Sequence, residues 1–569
     1  MNRGELPNFT RLAIQGGYQR LQTLNPPQSP VVWASIATGV NPGEHGVFDF
    51  IHRDPKKYLP YLSLLQRDAY SYIPPVKAKT FWNRATEKDI PSVVLKWPVA
   101  FPPTKQICGK ILAGLGVPDV KGMLGVYTVF TNHQSMTNTD KKGKLIKVEV
   151  VNKRIKTEIP GPVSASLTGK KEAVVSLIIE TRGNHIRCTV GNAAFDIQEY
   201  QWSDWVSLHF NLGLFRTETV LCRFFLKSLT PDFCLYMTPL NVSPESVDFP
   251  CTSPNKYGKE LYDSIGPYAT LGLAEDTNAL NDGILNEDEF LTQCGSIMTE
   301  RERMFFHEFN RFDEGILACV FDTTDRIQHM FWRMIDSEHP LYDEQSANRY
   351  KNVISEYYQR MDRTVGTVLE NITPDTRLII CSDHGFTSFK KAVHLNTWLF
   401  QNGYLKLKKG YGTSEGLFEG VDWGGTKAYA VGLTSIYLNR KGREGEGTVT
   451  ENQTAALKKE LKAKFMSFSD KGLNVVKNTY DTQDIFKGAE ISNAPDLIIG
   501  FDHGYRASWQ TAVGGAPEGQ VVEDNVKKWS GDHCCDSSNV PGVLFCNNSN
   551  MFDNPSVLDV CSAILDHLT

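Results

Sequence analysis

The sequence predicts an α/β fold with a mainly parallel central sheet, helices on both of its faces, and a β-rich subdomain inserted into it. Three observations carry this expectation. Short apolar runs, such as Ile316 to Phe321 and Leu378 to Cys381, alternate with stretches whose apolar residues recur at helical spacing. Asp and His residues follow both of those runs within a few positions, as happens where an α/β enzyme builds a site at the carboxyl ends of its strands. Between about 140 and 260 the runs become β-rich, and no long amphipathic helix is signalled.

The elements follow in order. Phe9 to Gly16 reads as a helix, and the residues before it lack the apolar core of a signal peptide. Trp33 to Ala37 reads as the start of a second helix, and Ser92 to Lys96 as a strand. The β-rich stretch contains Leu145 to Val151, Ala173 to Glu180 and Val220 to Leu226. Ala347 to Asn371 then carries Val353, Ile354, Tyr357, Met361, Val365, Val368 and Leu369 at helical spacing, before the strand that ends at Cys381. Strands are expected at Ser435 to Leu438 and Leu497 to Phe501, with a helix over Thr454 to Phe465 between them. The expected organisation is an α/β domain in two parts, 1–139 and 261–569, around a β-rich insertion at 140–260.

Bulk properties narrow the function classes. A formal net charge of -5 argues against a nucleic-acid surface or an anionic membrane as the main partner. No uninterrupted apolar segment is long enough to span a bilayer. The 12 cysteines are scattered, without a Cys-x-x-Cys pair, which favours a reducing compartment, here the cytoplasm, over a disulfide-stapled scaffold.

The chemistry sits in the α/β body. Asp325 and His329 are four apart and share a face if helical. Asp383 and His384 stand in Ser-Asp-His-Gly-Phe, and His533 ends Ser-Gly-Asp-His. Two carboxylates and three imidazoles suit Zn²⁺ and, less readily, Mn²⁺. Five ligands are too many for one tetrahedral ion but enough for two ions with open positions. Near the N-terminus Ser29 lies in the proline-fixed loop Pro26-Pro27-Gln28-Ser29-Pro30, directly before a helix. A helix start favours phosphate or sulfate, and a hydroxyl bound there to a metal becomes a nucleophile at neutral pH. Spacing alone equally allows Ser29 to be only the N-cap of a buried helix.

The order of these motifs resembles the alkaline phosphatase superfamily, and more narrowly its type I phosphodiesterase/nucleotide pyrophosphatase branch with its microbial relatives. Ser29 stands ten residues before Gly39 of Thr38-Gly39, and Asn41-Pro42-Gly43-Glu44-His45-Gly46 follows, as in that branch's nucleophile region. The resemblance implies Ser29 as nucleophile. It implies Asp325, His329 and His533 as ligands of one metal, and Asp383 and His384, with Ser29, as ligands of the other. It also implies two divalent ions, expected to be zinc with manganese as the other candidate, and a small-molecule phosphate ester as substrate. The activity implied is hydrolysis of phosphodiester or related phosphate-ester bonds through a phosphoseryl intermediate. Two rivals stand beside it: a metal-dependent phosphomutase, and a non-catalytic binding domain.

Two departures from the pattern are visible. Family members carry a further metal-binding Asp upstream of the segment seen here as Leu6-Pro7-Asn8, a position outside this sequence, so the second ligand set is expected to be short by one. Phe50 follows Asp49 where nucleotide pyrophosphatases place a phosphate-contacting Asn, which counts against a nucleotide-like substrate. Arg506, Trp509, His503 and Lys96 are weaker candidates for substrate contact, and the adjacent Cys534 and Cys535 read as neighbours of His533 without a metal role.

Overall fold

The computed structural model describes residues 1–569 except 2, 16, 69–70, 106, 138–140, 167–168, 214–215, 247–248, 549–552 and 569. The expected boundary between 139 and 140, and Gly16 at the end of the first expected helix, therefore lie outside the described residues. The chain forms two compact units. One comprises Met1–Ile90 with Thr324–Thr569, and the other Pro91–Thr323.

In the first unit, strand Gly542–Cys546 lies between Tyr18–Leu21 and Ile379–Cys381 and runs antiparallel to both. Helix Pro7–Gln15 places Phe9 and Leu12 against Phe545 and against Val365 of helix Val353–Asn371. Asp362 of the latter helix fixes the start of the former: its carboxylate accepts from Phe9 N at 2.8 Å, Asn8 N at 3.2 Å and Asn8 Nδ2 at 2.9 Å. A helix start leaves N–H groups without intrahelical acceptors, and here a remote carboxylate supplies them. Asp362→Ala is expected to lower stability by about 1–3 kcal/mol, because buried donors lose their acceptor, read as a lower denaturant midpoint at unchanged slope.

A second sheet of the first unit holds the expected strands Ser435–Leu438 and Leu497–Phe501, paired antiparallel, with the expected helix falling inside Glu451–Met466. Its core includes Trp398, Tyr429, Tyr437, Ile436, Phe465, Ile499 and Phe501. Strand Thr387–Val393 runs parallel to Gly504–Ala507 and antiparallel to the short strand Gly531–Asp532.

In the second unit, Ser92–Trp97 runs parallel to both Gly109–Ala113 and Ile316–Cys319. The β-rich stretch contains a four-stranded antiparallel meander, Arg154–Ser166, Gly169–Arg182, His185–Val190 and Ala193–Gln198. Ile155, Leu177, Ile186, Leu208, Phe210 and Val220 fill one core there. A 23-residue helix, Glu287–Phe309, opens with a capping box of Asn286 and Glu289, a local signal that the apolar periodicity does not reveal.

The fold is thus α/β, with mixed sheets. The expected dominance of parallel pairing is met around Ser92–Trp97 and not in the sheet centred on Gly542–Cys546. The reason is physical: a continuous apolar run reports burial on both faces of a strand, not the direction of its neighbours.

Candidate active site

Ser29 is the first residue of helix Ser29–Thr38, with Gln28 before it in an extended conformation (φ -105, ψ 135) and Pro30 after it. Pro30, Val31, Val32, Ala34, Ser35 and Ile36 are buried, so the helix is fixed by packing. Gln28 occupies the N-cap position and no side chain caps the helix. The alternative of Ser29 as a cap therefore does not hold. Its half-buried hydroxyl instead lies 3.1 Å from His384 Nε2.

The remaining residues join His384 in one cluster, from three elements of the same unit. Helix Thr323–Phe331 carries Asp325 and His329 one turn apart, with Oδ2 and Nε2 separated by 3.4 Å. Asp383 and His384 directly follow Ser382 and strand Ile379–Cys381, and Asp383 Oδ2 is 3.0 Å from His384 Nε2. His533 follows strand Gly531–Asp532 and stacks on His384, ring centroids 3.5 Å apart at 14°. Its Nε2 is 4.0 Å from Asp325 Oδ1. All six residues named from the sequence form one contiguous cluster. Asp325, His384 and His533 have ligand atoms within 4.8 Å of one another, a trio that spans the two implied ligand sets.

The hydrogen bonds assign the imidazole faces. His329 Nδ1 donates to Gly531 O at 2.7 Å, His533 Nδ1 to Pro27 O at 2.6 Å and His384 Nδ1 to Gly385 O at 3.1 Å. Each Nδ1 therefore carries a proton and each Nε2 is left for the centre, the arrangement seen for metal-binding histidines. Asp325 Oδ1 and Asp383 Oδ2 are buried without a well-aligned hydrogen bond. Carboxylate oxygens and imidazole lone pairs gathered at 3–4 Å need a proton or a cation among them. The donor set fits a divalent cation.

The electrostatics agree. Burial opposes ionisation of Asp325, but His329, Arg326 and His533 outweigh it and hold its carboxyl well below the usual range. Burial likewise opposes ionisation of Asp383, and His384 overcomes it. His533 is pushed down to about 3 by burial first and by His384 next, so it is neutral at ordinary pH. Burial disfavours charge on His384, yet Asp383 and Asp325 outweigh burial and raise its pKa. A proton on its Nε2 and a metal ion would compete for the same lone pair.

Several neighbours are not among the site residues expected from the sequence. Trp529 stacks on His329 at 3.8 Å, and Phe386 packs against His329, His384 and His533. Arg326 ion-pairs with Asp325. Phe386 belongs to the Ser-Asp-His-Gly-Phe motif and Arg326 adjoins Asp325, so both had a local signal; Trp529 had none. Arg506 is buried, its Nε 2.9 Å from Asp532 Oδ2, while Trp509 beside it is exposed. His503 contacts Thr387 Oγ1, and Lys96, in the other unit, donates to the carbonyls of Ala269 and Thr270. Burial drives the Cys534 thiol well above its ordinary pKa. Asp49 is buried among Leu433 N, Ser435 Oγ and Ile51 N, and Phe50 packs on the apolar core.

The family model described as type I phosphodiesterase / nucleotide pyrophosphatase matches residues 1–154 and 287–517, well over half of the chain. The chain belongs to that family. It is a hydrolase of phosphoric ester bonds. The matched segments contain Ser29, Asp325, His329, Asp383 and His384, while His533 and most of the β-rich stretch lie outside them. Among solved structures, phosphonoacetate hydrolase from Sinorhizobium meliloti 1021, in complex with phosphonoformate, is 10% identical over 100% of this chain and 91% of its own, with a TM-score of 0.42. Murine ectonucleotide pyrophosphatase / phosphodiesterase 5 is 9% identical over 99% of this chain and 89% of its own, with a TM-score of 0.38. No curated protein matches the sequence. Among the described residues no helix is long and apolar enough to cross a membrane.

Proposed function

We propose that this family member is a metal-dependent phosphodiesterase that acts on a small-molecule phosphate ester through a phosphoseryl intermediate on Ser29. One observation carries the reading: the Ser29 hydroxyl, at the start of a buried helix, contacts His384 Nε2 in a cluster that also holds buried Asp383, half-buried Asp325 and the imidazoles of His329 and His533. Asp325, His329 and His533 would hold one divalent ion, and Asp383, His384 and Ser29 the second, with zinc preferred by the N/O donor set and manganese the alternative. Such ions, when bound, offset charge on the transferring phosphoryl group and lower the pKa of a coordinated hydroxyl or water.

The chain's own residues do the rest. The extended Gln28 and the packed helix behind Ser29 fix the direction of its Oγ, and the N-terminal end of that helix favours the negative phosphoryl group. Phe386 and Trp529 cover the imidazoles and restrict water around them. In this reading the β-rich stretch at 140–260 is an insertion into an alkaline phosphatase-like α/β body, whose central sheet would be mainly parallel. Phe50 packs on the apolar core and offers no polar contact to a phosphate, which counts against a nucleotide-like substrate.

The test is hydrolysis of bis(p-nitrophenyl) phosphate before and after chelation. Turnover is expected to be lost with chelator and restored by added Zn²⁺ or Mn²⁺, with alcohol and phosphomonoester released to water. Full turnover after the metals are stripped would sink metal dependence, and an isomerised product from a sugar phosphate would favour a mutase.

A further inference from the structure

Residues 529–533 form a strap along the helix that carries His329, and nearly every position makes a defined contact. The Trp529 ring stacks on the His329 ring, Ser530 N donates to His329 O at 2.7 Å, and Gly531 O accepts from His329 Nδ1 at 2.7 Å. His533 follows with its Nε2 at the centre of the cluster. Asp532 is buried and both its oxygens are engaged. Oδ1 accepts from His533 N and Cys534 N, each at 2.8 Å. Oδ2 accepts from Trp529 Nε1 at 2.8 Å and lies 2.9 Å from Arg506 Nε.

One carboxylate therefore links two imidazoles that come from separate elements. Through its first oxygen it sets the backbone from which His533 projects. Through its second it sets the plane of the indole that lies flat on His329. A buried Arg–carboxylate pair is weak evidence of added stability, because desolvation offsets most of its attraction. Its distinguishing consequence here is geometric. We infer that Asp532 is a positioning residue for the metal ligands His329 and His533, holding one through Trp529 and the other through its own main chain, with Arg506 as its counter-charge. The inference rests on the reading that these two histidines hold a divalent ion.

Zinc affinity, measured by competition with a chromophoric chelator, tests it without reference to turnover. Asp532→Asn keeps an acceptor for the two backbone N–H groups but turns an amide N–H₂ toward the indole N–H and Arg506, all donors. Affinity is expected to fall about 10- to 100-fold, the usual consequence of removing a partner behind a metal ligand. With the metal saturated, kcat is expected to fall while KM for the ester changes little. Trp529→Phe retains a ring on His329 and loses only the N–H, so a smaller fall is expected. The double variant should be no worse than Asp532→Asn, because both changes cut one path.

A wild-type protein that binds no zinc overturns the metal reading and this inference together. Tight wild-type binding with unchanged affinity in Asp532→Asn overturns this inference alone. Should Asp532→Asn fail to fold by circular dichroism, Trp529→Phe decides: a fall in affinity supports the inference, and wild-type affinity overturns it.

Discussion

Ser29→Ala is expected to lower phosphodiester turnover by about 10³-fold or more while the thermal midpoint stays near that of the wild type. The substitution removes one oxygen from a half-buried position at the first turn of a helix, where alanine fits and no cap is lost, since Gln28 occupies the N-cap position. Its other consequence is confined to the contact with His384 Nε2 at 3.1 Å. The ion proposed for Asp325, His329 and His533 does not depend on Ser29, so Ser29→Ala is expected to retain at least one ion per chain. Ser35 on the same helix cannot substitute, because its hydroxyl is engaged with His45 Nε2 at 2.8 Å. Ser29→Thr keeps the hydroxyl and is expected to retain measurable turnover. With bis(p-nitrophenyl) phosphate, one p-nitrophenolate leaves as the Ser29 Oγ–P bond forms, so acid-quenched wild type should carry a p-nitrophenyl phosphoryl group on Ser29, and Ser29→Ala should carry none. Wild-type turnover in Ser29→Ala would mean that water attacks directly and that the serine only helps to bind.

The same contrast shows what the sequence could and could not reveal. The i, i+4 spacing of Asp325 and His329, the Asp383-His384 pair after an apolar run, and the Gly-Asp-His ending at His533 are local patterns. The first two land on the elements that their patterns imply, a helix and a strand end, while the short strand Gly531–Asp532 before His533 carried no such signal. Ser29 was ambiguous because an N-cap and a first-turn hydroxyl have the same local sequence; the N-cap position falls on Gln28, and the contact with His384 comes only from the tertiary fold. Trp529 and Asp532 could not be ranked at all. Their roles depend on a contact between residues about 200 positions apart in sequence, and an indole lying on an imidazole leaves no period or spacing to read. Strand direction was lost for a related reason. The apolar run Gly542–Cys546 registers burial, while its antiparallel pairing with Ile379–Cys381 and Tyr18–Leu21 is decided by the path of the chain between them.

Gly531→Ala is the second large effect, and it follows from close approach, not from backbone conformation. A Cβ on Gly531 would lie 2.5 Å from Gln328 O and 2.9 Å from Trp332 Cβ. Neither neighbour is the far end of a flexible side chain. Gln328 O belongs to the backbone of the helix that carries His329, and Trp332 opens the turn that follows it. The strap must therefore lift away from the helix. Lifting it lengthens the 2.7 Å bond from His329 Nδ1 to Gly531 O and carries His533 off the centre in the same movement. Overpacking of this kind lowers stability by about 1–3 kcal/mol. Displacing a reacting group by about 1 Å lowers rate by about 10²-fold, so the catalytic loss should exceed what partial unfolding explains. Zinc affinity and turnover should fall together in folded protein at a temperature well below its midpoint. Gly412→Ala is the matched control, since a Cβ there meets nothing within 4 Å, and it should behave as wild type. Retention of both zinc and turnover by Gly531→Ala would show that the strap can move without disturbing His329 or His533, and that the two imidazoles are held by something other than residues 529–533.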